Sequence, residues 1–156
     1  METATKTGMI VLLGETDVDR TKVNFEQVAR RVAREIGFDS EEAGLDANTC
    51  SVILNIHGQD ANIALGVHKQ KSEEEMGAGD QGLMFGYATD EWDTETLHPY
   101  SHVLANLLCE EMAIQRKNGS IPWLRPDCKS QVIVEYEKLP GGQVKPIRVY
   151  NILIST

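Results

Sequence analysis

Met76-Gly-Ala-Gly-Asp-Gln-Gly-Leu-Met-Phe-Gly-Tyr-Ala-Thr-Asp90 is the stretch on which the reading of this chain turns. Gly77, Gly79 and Gly82 spell G-x-G-x-x-G, a string that marks a dinucleotide site when a strand precedes it and a helix follows. Here the order is reversed. Glu73, Glu74 and Glu75 come before the glycines, and an apolar, aromatic-containing run over residues 83–88 comes after them and predicts a strand. Asp80 also sits inside the motif, where its charge would repel a pyrophosphate, so a Rossmann unit is a poor fit. Two readings remain. The glycines let the backbone approach a ligand closely and offer the Asp80 carboxylate to ribose hydroxyls or an ammonium group. Alternatively, they make a plain tight turn with a solvated aspartate, and the glycines alone favour this second reading.

The whole-chain properties narrow the field. The 156 residues allow one domain or two small ones, and a hydrophobic share of 41% suffices for a core. A net charge of −9 excludes a general nucleic-acid or anionic-membrane binder. An anionic small ligand would need a local cation or a metal. Cys50, Cys109 and Cys128 are odd in number and lack a C-x-x-C pair, which points to reduced thiols in a reducing compartment. Residues 1–7 are polar, unlike a secretory signal, and no apolar run reaches membrane-span length. A cytoplasmic location is expected.

Toward the N-terminus, residues 9–13 predict a strand closed by Gly14-Glu15. Glu15 then stands at a strand end, either facing a ligand or simply solvated. Phe25, Val28, Ala29, Val32, Ala33 and Ile36 recur at helical spacing, with Asn24 as cap and Gly37 as stop. Val52, Leu54 and Ile56 alternate as a second strand. Residues 58–76 show no clear periodicity and predict a long loop, read as a lid or a linker. Gln59 opens it, placed to hydrogen-bond a small ligand or to cap the strand.

Toward the C-terminus, Pro99 suits the first turn of a helix carrying Tyr100, Val103, Leu104, Leu107, Leu108 and Met112, ended by Asn118-Gly119. His98 and His102 stand at i, i+4, a spacing open to metal binding but more often a surface pair. Pro122 and Pro126 stiffen residues 121–129, which offer Arg125, Asp127 and Lys129 just before a strand. Such a loop can cradle phosphate and sugar, with Lys129 as a point charge, or can be a rigid surface turn. Val132, Val134 and Tyr136, the turn at Leu139-Pro140-Gly141-Gly142, and a long return from Val144 predict a β-hairpin.

Taken together, these segments resemble the S-adenosylmethionine synthetases, or methionine adenosyltransferases. The stretch Gly77-Ala-Gly-Asp-Gln-Gly-Leu-Met-Phe-Gly-Tyr-Ala88 is similar to that family's first signature. Lys6-Thr-Gly-Met-Ile10, Gly14-Glu15, Ile63-Ala-Leu-Gly-Val-His68, Trp123-Leu-Arg-Pro-Asp-Cys-Lys129 and Pro146-Ile-Arg-Val149 follow in the family's order. The resemblance implies an α+β fold with mixed or antiparallel sheets, each covered by helices, as parts of two similar domains of a three-domain fold. Residues 1–58 are expected to be the remainder of an N-terminal domain, 59–76 a mobile active-site loop, and 77–156 the first part of a central domain.

The resemblance also implies chemistry. Methionine sulfur displaces triphosphate from C5′ of ATP, and the triphosphate is then hydrolysed. Glu15 and Gln59 match residues that contact methionine. Asp80 matches the signature aspartate beside the adenosine and methionine moieties. Asp127, Cys128 and Lys129 match the ATP-contacting stretch, with Lys129 on the polyphosphate side, and Lys129 and Asp80 are the expected catalytic pair. Mg2+ and K+ are the implied cofactors, with no metal ligand expected in this chain. The implied assembly is a homodimer or a dimer of dimers, with no nucleic acid or membrane partner.

The sequence departs from the family at several points. An early His-Pro-Asp segment and a later glycine-rich phosphate loop are absent, and Gly58-Gln59-Asp60-Ala61 replaces a commoner Gln-Gln-Ser-Pro. A piece of the enzyme that is inactive alone is therefore expected, with a non-catalytic module docking on a full-length subunit as the alternative.

Overall fold

Residues 9–16 carry enough β-branched and aliphatic side chains to hold the centre of a sheet, and they do so in the computed structural model, which describes residues 1–67, 72–79 and 82–156. The chain divides into two compact units, Met1–Met84 and Phe85–Thr156. Both helices and sheets contribute, giving the expected α+β class.

In the first unit, strand β2 (Met9–Thr16) lies between β1 (Glu2–Lys6) and β5 (Ser51–Gly58). β1 runs antiparallel to β2, with Lys6 opposite Met9, whereas β5 runs parallel to it, with Glu15 opposite His57. A parallel neighbour requires a crossover, and helix α1 (Phe25–Ile36) supplies it. Asn24 caps α1 by accepting from the Gln27 amide at 2.9 Å. Gly37 stops the helix in the left-handed region at φ 115° and donates to Ala33 and Arg34 carbonyls.

The buried stripe of α1 meets the sheet around Ile10, Ala33, Leu45, Ala47 and Cys50, with Leu12, Ala29, Phe38 and Val52 packed alongside. Leu45 belongs to a two-residue ribbon in which β3 (Asp39–Ser40) pairs with β4 (Leu45–Asp46). Arg30 ties the helix to the chain entering β5. Its guanidinium donates to the carbonyls of Ala47 at 2.9 Å and Cys50 at 3.0 Å, and pairs with Glu26 at 2.8 Å.

The second unit is built on a hairpin of β6 (Lys129–Lys138) and β7 (Val144–Ser155). The turn closes with the Leu139 amide on the Gln143 carbonyl at 2.8 Å. Gly141 and Gly142 both take positive φ there, which a side chain would resist. Helix α3 (Tyr100–Lys117) packs on β6, and Ser130 Oγ donates to the Ala105 carbonyl at 2.6 Å across that contact.

Three expectations need correction. Residues 82–89 form neither helix nor strand, and Leu83, Met84 and Phe85 are 83, 90 and 94% exposed. Strand propensity is realised only against a partner strand, and Gly82 and Gly86 weaken this run further. Residues 58–76 are not structureless: they include helix α2 (Ala61–Val67) and a 3₁₀ turn at Glu73–Glu75. Asp60 starts α2 by accepting from the Asn62 amide at 2.8 Å. Pro99 lies one residue before α3, as its cap, rather than inside the first turn. Besides these, β1 forms from a polar stretch that carries no apolar alternation.

Candidate functional site

Glu15 and Gln59 lie 44 positions apart in sequence, yet one hydrogen-bonded edge carries both. Glu15 sits one residue before the end of β2 and is paired with His57 on β5. Gln59 follows the end of β5, and its amide donates to the carbonyl of Thr16, the residue after Glu15, at 3.0 Å. Both therefore stand at the carboxyl ends of two parallel strands, where open sheets characteristically receive ligands. Gly14 sets up the strand end. Its φ is 130°, and a Cβ there would lie 2.9 Å from Met1 Cα, so β1 can approach only a glycine.

The Gln59 side chain is oriented locally. Its Oε1 accepts from the Asp60 amide at 3.0 Å, immediately before α2. Glu15 is exposed and Gln59 half-buried. A carboxylate beside a carboxamide at an open sheet edge can take the ammonium and carboxylate ends of an amino acid. His57 stands next to Glu15 through the strand register and contacts Asn55 Oδ1 through Nε2 at 2.8 Å. Sequence reasoning missed His57, because a parallel register depends on the crossover and leaves no local signal.

In the second unit, Asp127, Cys128 and Lys129 line a shallow cavity of about 190 Å³ together with Ser155 and Thr156. That is below the roughly 300–1,000 Å³ of pockets enclosing a whole drug-sized ligand, leaving room for part of a nucleotide. Ser155 arrives through the hairpin, which pairs it with Lys129. Register shifts between Ile133 and Val134 and between Glu135 and Tyr136 put it there, whereas counting outward from the glycine turn would place Leu153 opposite Lys129. Arg125 braces the loop by donating to the carbonyls of Pro122 at 3.2 Å and Trp123 at 3.3 Å.

Burial pushes the Cys128 thiol above its ordinary pKa, and the neighbouring Cys109 and Asp127 push the same way, against Arg116. A neutral thiol adds no negative charge to the cavity. Lys129 and Asp127 are exposed, so both charges are open to a ligand from solvent.

Asp80 lies outside the described residues. The structure thus brings Glu15 to Gln59 in one unit, and Asp127 to Cys128 and Lys129 in the other. His98 and His102 stack with ring centroids 5.8 Å apart. Among the described residues no group of three or more His, Cys, Asp or Glu side chains could hold a metal ion, and no helix is long and apolar enough to cross a membrane.

Comparison with known families accounts for this pattern. Residues 1–61 match the S-adenosylmethionine synthetase N-terminal domain, and residues 75–156 match the central domain of the same enzyme. The chain belongs to the S-adenosylmethionine synthetase family. Both matched segments carry candidate residues: Glu15 and Gln59 fall in the N-terminal match, and Asp127, Cys128 and Lys129 in the central one.

Proposed function

We propose that this synthetase-family chain serves methionine adenosyl transfer, with Glu15 and Gln59 receiving L-methionine and Asp127, Cys128 and Lys129 receiving ATP. The observation that carries the reading is the meeting of Glu15 and Gln59 at one strand edge through the bond from the Gln59 amide to the Thr16 carbonyl.

In the reaction, a sulfur lone pair of methionine forms a bond to C5′ of the ribose. The C5′–O bond breaks, and its electron pair leaves with the triphosphate, giving a sulfonium. No covalent enzyme intermediate is required, so the protein contributes alignment and charge stabilisation. Glu15 accepts from the methionine ammonium. Gln59 fixes the amino-acid end. Lys129 faces the polyphosphate, where negative charge grows as the bond breaks. Asp127 accepts from hydroxyl or amino groups of the nucleoside, and Asp80 would serve the adenosine and methionine ends.

Mg2+ and K+ are implied by the family resemblance. Among the described residues no cluster of three or more His, Cys, Asp or Glu side chains is placed to hold such an ion. Residues 1–58, 59–76 and 77–156 are read as the remaining N-terminal domain, an active-site loop and the first part of a central domain, working in a homodimer or dimer of dimers in the cytoplasm.

The test is calorimetric titration of the chain with methionine, with ATP and with both, alongside an assay for S-adenosylmethionine. Binding of each ligand, tighter in the presence of the other and without turnover, is expected. Product formation by the chain alone would establish the chemistry but overturn its division among further segments. Failure to bind either ligand, with co-purification of a full-length synthetase and a change in its kinetics, would assign a docking role instead.

A further inference from the structure

Cys109 and Cys128 stand on elements that pack together, and their surroundings form a directed chain of hydrogen bonds. Cys109 Sγ on α3 lies 3.2 Å from Ser130 Oγ on β6. The single proton of that hydroxyl goes to the Ala105 carbonyl, which can only accept, at 2.6 Å. The Cys109 thiol is therefore the donor to Ser130, and its sulfur lone pairs remain available to a further neighbour.

Cys128 precedes Ser130 by two residues. Both are half-buried while Lys129 between them is exposed, so the alternation of β6 carries back to Cys128 and turns it toward α3. The groups acting on Cys128 agree with that placement: Cys109 and Arg116 from α3, and Asp127 from its own loop. Burial, with the neighbouring Cys109 and Asp127, raises the Cys128 pKa and makes it slow to act as an attacking thiolate.

We propose that Cys109 and Cys128 are a redox pair that closes to a disulfide by exchange with a small-molecule disulfide, fastening the Asp127–Lys129 segment to α3. Cys109 gives up its proton to solvent and attacks one sulfur of the reagent, forming a mixed disulfide and expelling one reagent thiolate, which takes up a proton. Cys128 then loses its proton and attacks Cys109 Sγ, expelling the second. Two protein thiols are oxidised by two electrons, and the reagent is reduced to two thiols. Cys50, buried in the core of the other unit, takes no part. The cross-link is read in the absence of nucleotide, so its outcome is separate from that of the ATP reading at Asp127, Cys128 and Lys129.

The experiment treats the whole chain with glutathione disulfide, quenches with acid and alkylates under denaturing conditions. All three cysteines are free at the start. The expected product keeps Cys50 alkylatable and shows the tryptic peptides of Cys109 and Cys128 cross-linked, since Arg116 and Lys117 separate them. Dithiothreitol reverses the link, and Cys109→Ser or Cys128→Ser abolishes it. Amide hydrogen exchange over residues 127–129 should slow on oxidation. Stable glutathione adducts on both cysteines, a bond between two chains, unreacted thiols, or unchanged exchange would each overturn the proposal; the wild-type peptide map decides even if a serine variant fails to fold.

Discussion

The Gln59 amide donates to the Thr16 carbonyl at 3.0 Å, joining the end of β5 to the end of β2. That bond brings the start of the segment leading into α2 against the strand end that bears Glu15. Glu15 would place one negative charge where an amino-acid ammonium arrives, and a charge-assisted bond of this kind contributes about 1.5–3 kcal/mol. Glu15→Gln should therefore weaken methionine binding on the order of tenfold or more. The keto-acid analogue, which lacks the ammonium, should bind both proteins alike. Calorimetry with the two ligands checks this, and an equal loss for both would show that Glu15 acts on the fold instead.

Gly14→Ala introduces a Cβ at φ 130° and 2.9 Å from Met1 Cα. The strain and the displaced β1 together should cost about 1–3 kcal/mol. Thermal melting should show it as a lowered midpoint. A variant in which residues 1–6 are also deleted should recover little, because the backbone strain remains when the clash is gone.

Tyr136 gives the chain a dependence on alkaline pH. Burial, followed by the nearby Glu91 carboxylate, pushes its phenol up to about 12. The folded state thus holds this proton more tightly than the unfolded state, where the phenol titrates near the ordinary value of about 10. The stabilisation is fully present below pH of about 10 and is lost as pH rises through about 12. Melting temperatures of wild type should fall across that window more steeply than those of Tyr136→Phe. Parallel slopes would remove Tyr136 as the cause.

Much of the fold is legible because its signals are local. Asn24, Gly37 and the apolar stripe between them carry α1 in the sequence, and the glycines at 141–142 carry the hairpin. The expected strand over residues 83–88 failed because its propensity depends on a neighbour the sequence cannot show. Helix α2 escaped because seven residues hold too few turns for a period to stand out. β1 was hidden by Thr3, Thr5 and Lys6, whose pairing comes from the register with β2. At the candidate site, Glu15, Gln59, Asp127 and Lys129 could each be singled out by position. Their grouping could not, because it depends on the crossover through α1 and on the pairing of Lys129 with Ser155.

The most direct test of the central claim is nucleotide affinity in Lys129→Met, measured by calorimetry against ATP and against adenosine. Lys129 is exposed at the start of β6, so the substitution leaves the hairpin standing. ATP binding should fall on the order of tenfold with the loss of a charge-assisted contact, while adenosine binds as before. Unchanged ATP affinity, or an equal drop for adenosine, would contradict the placement of the polyphosphate at Lys129.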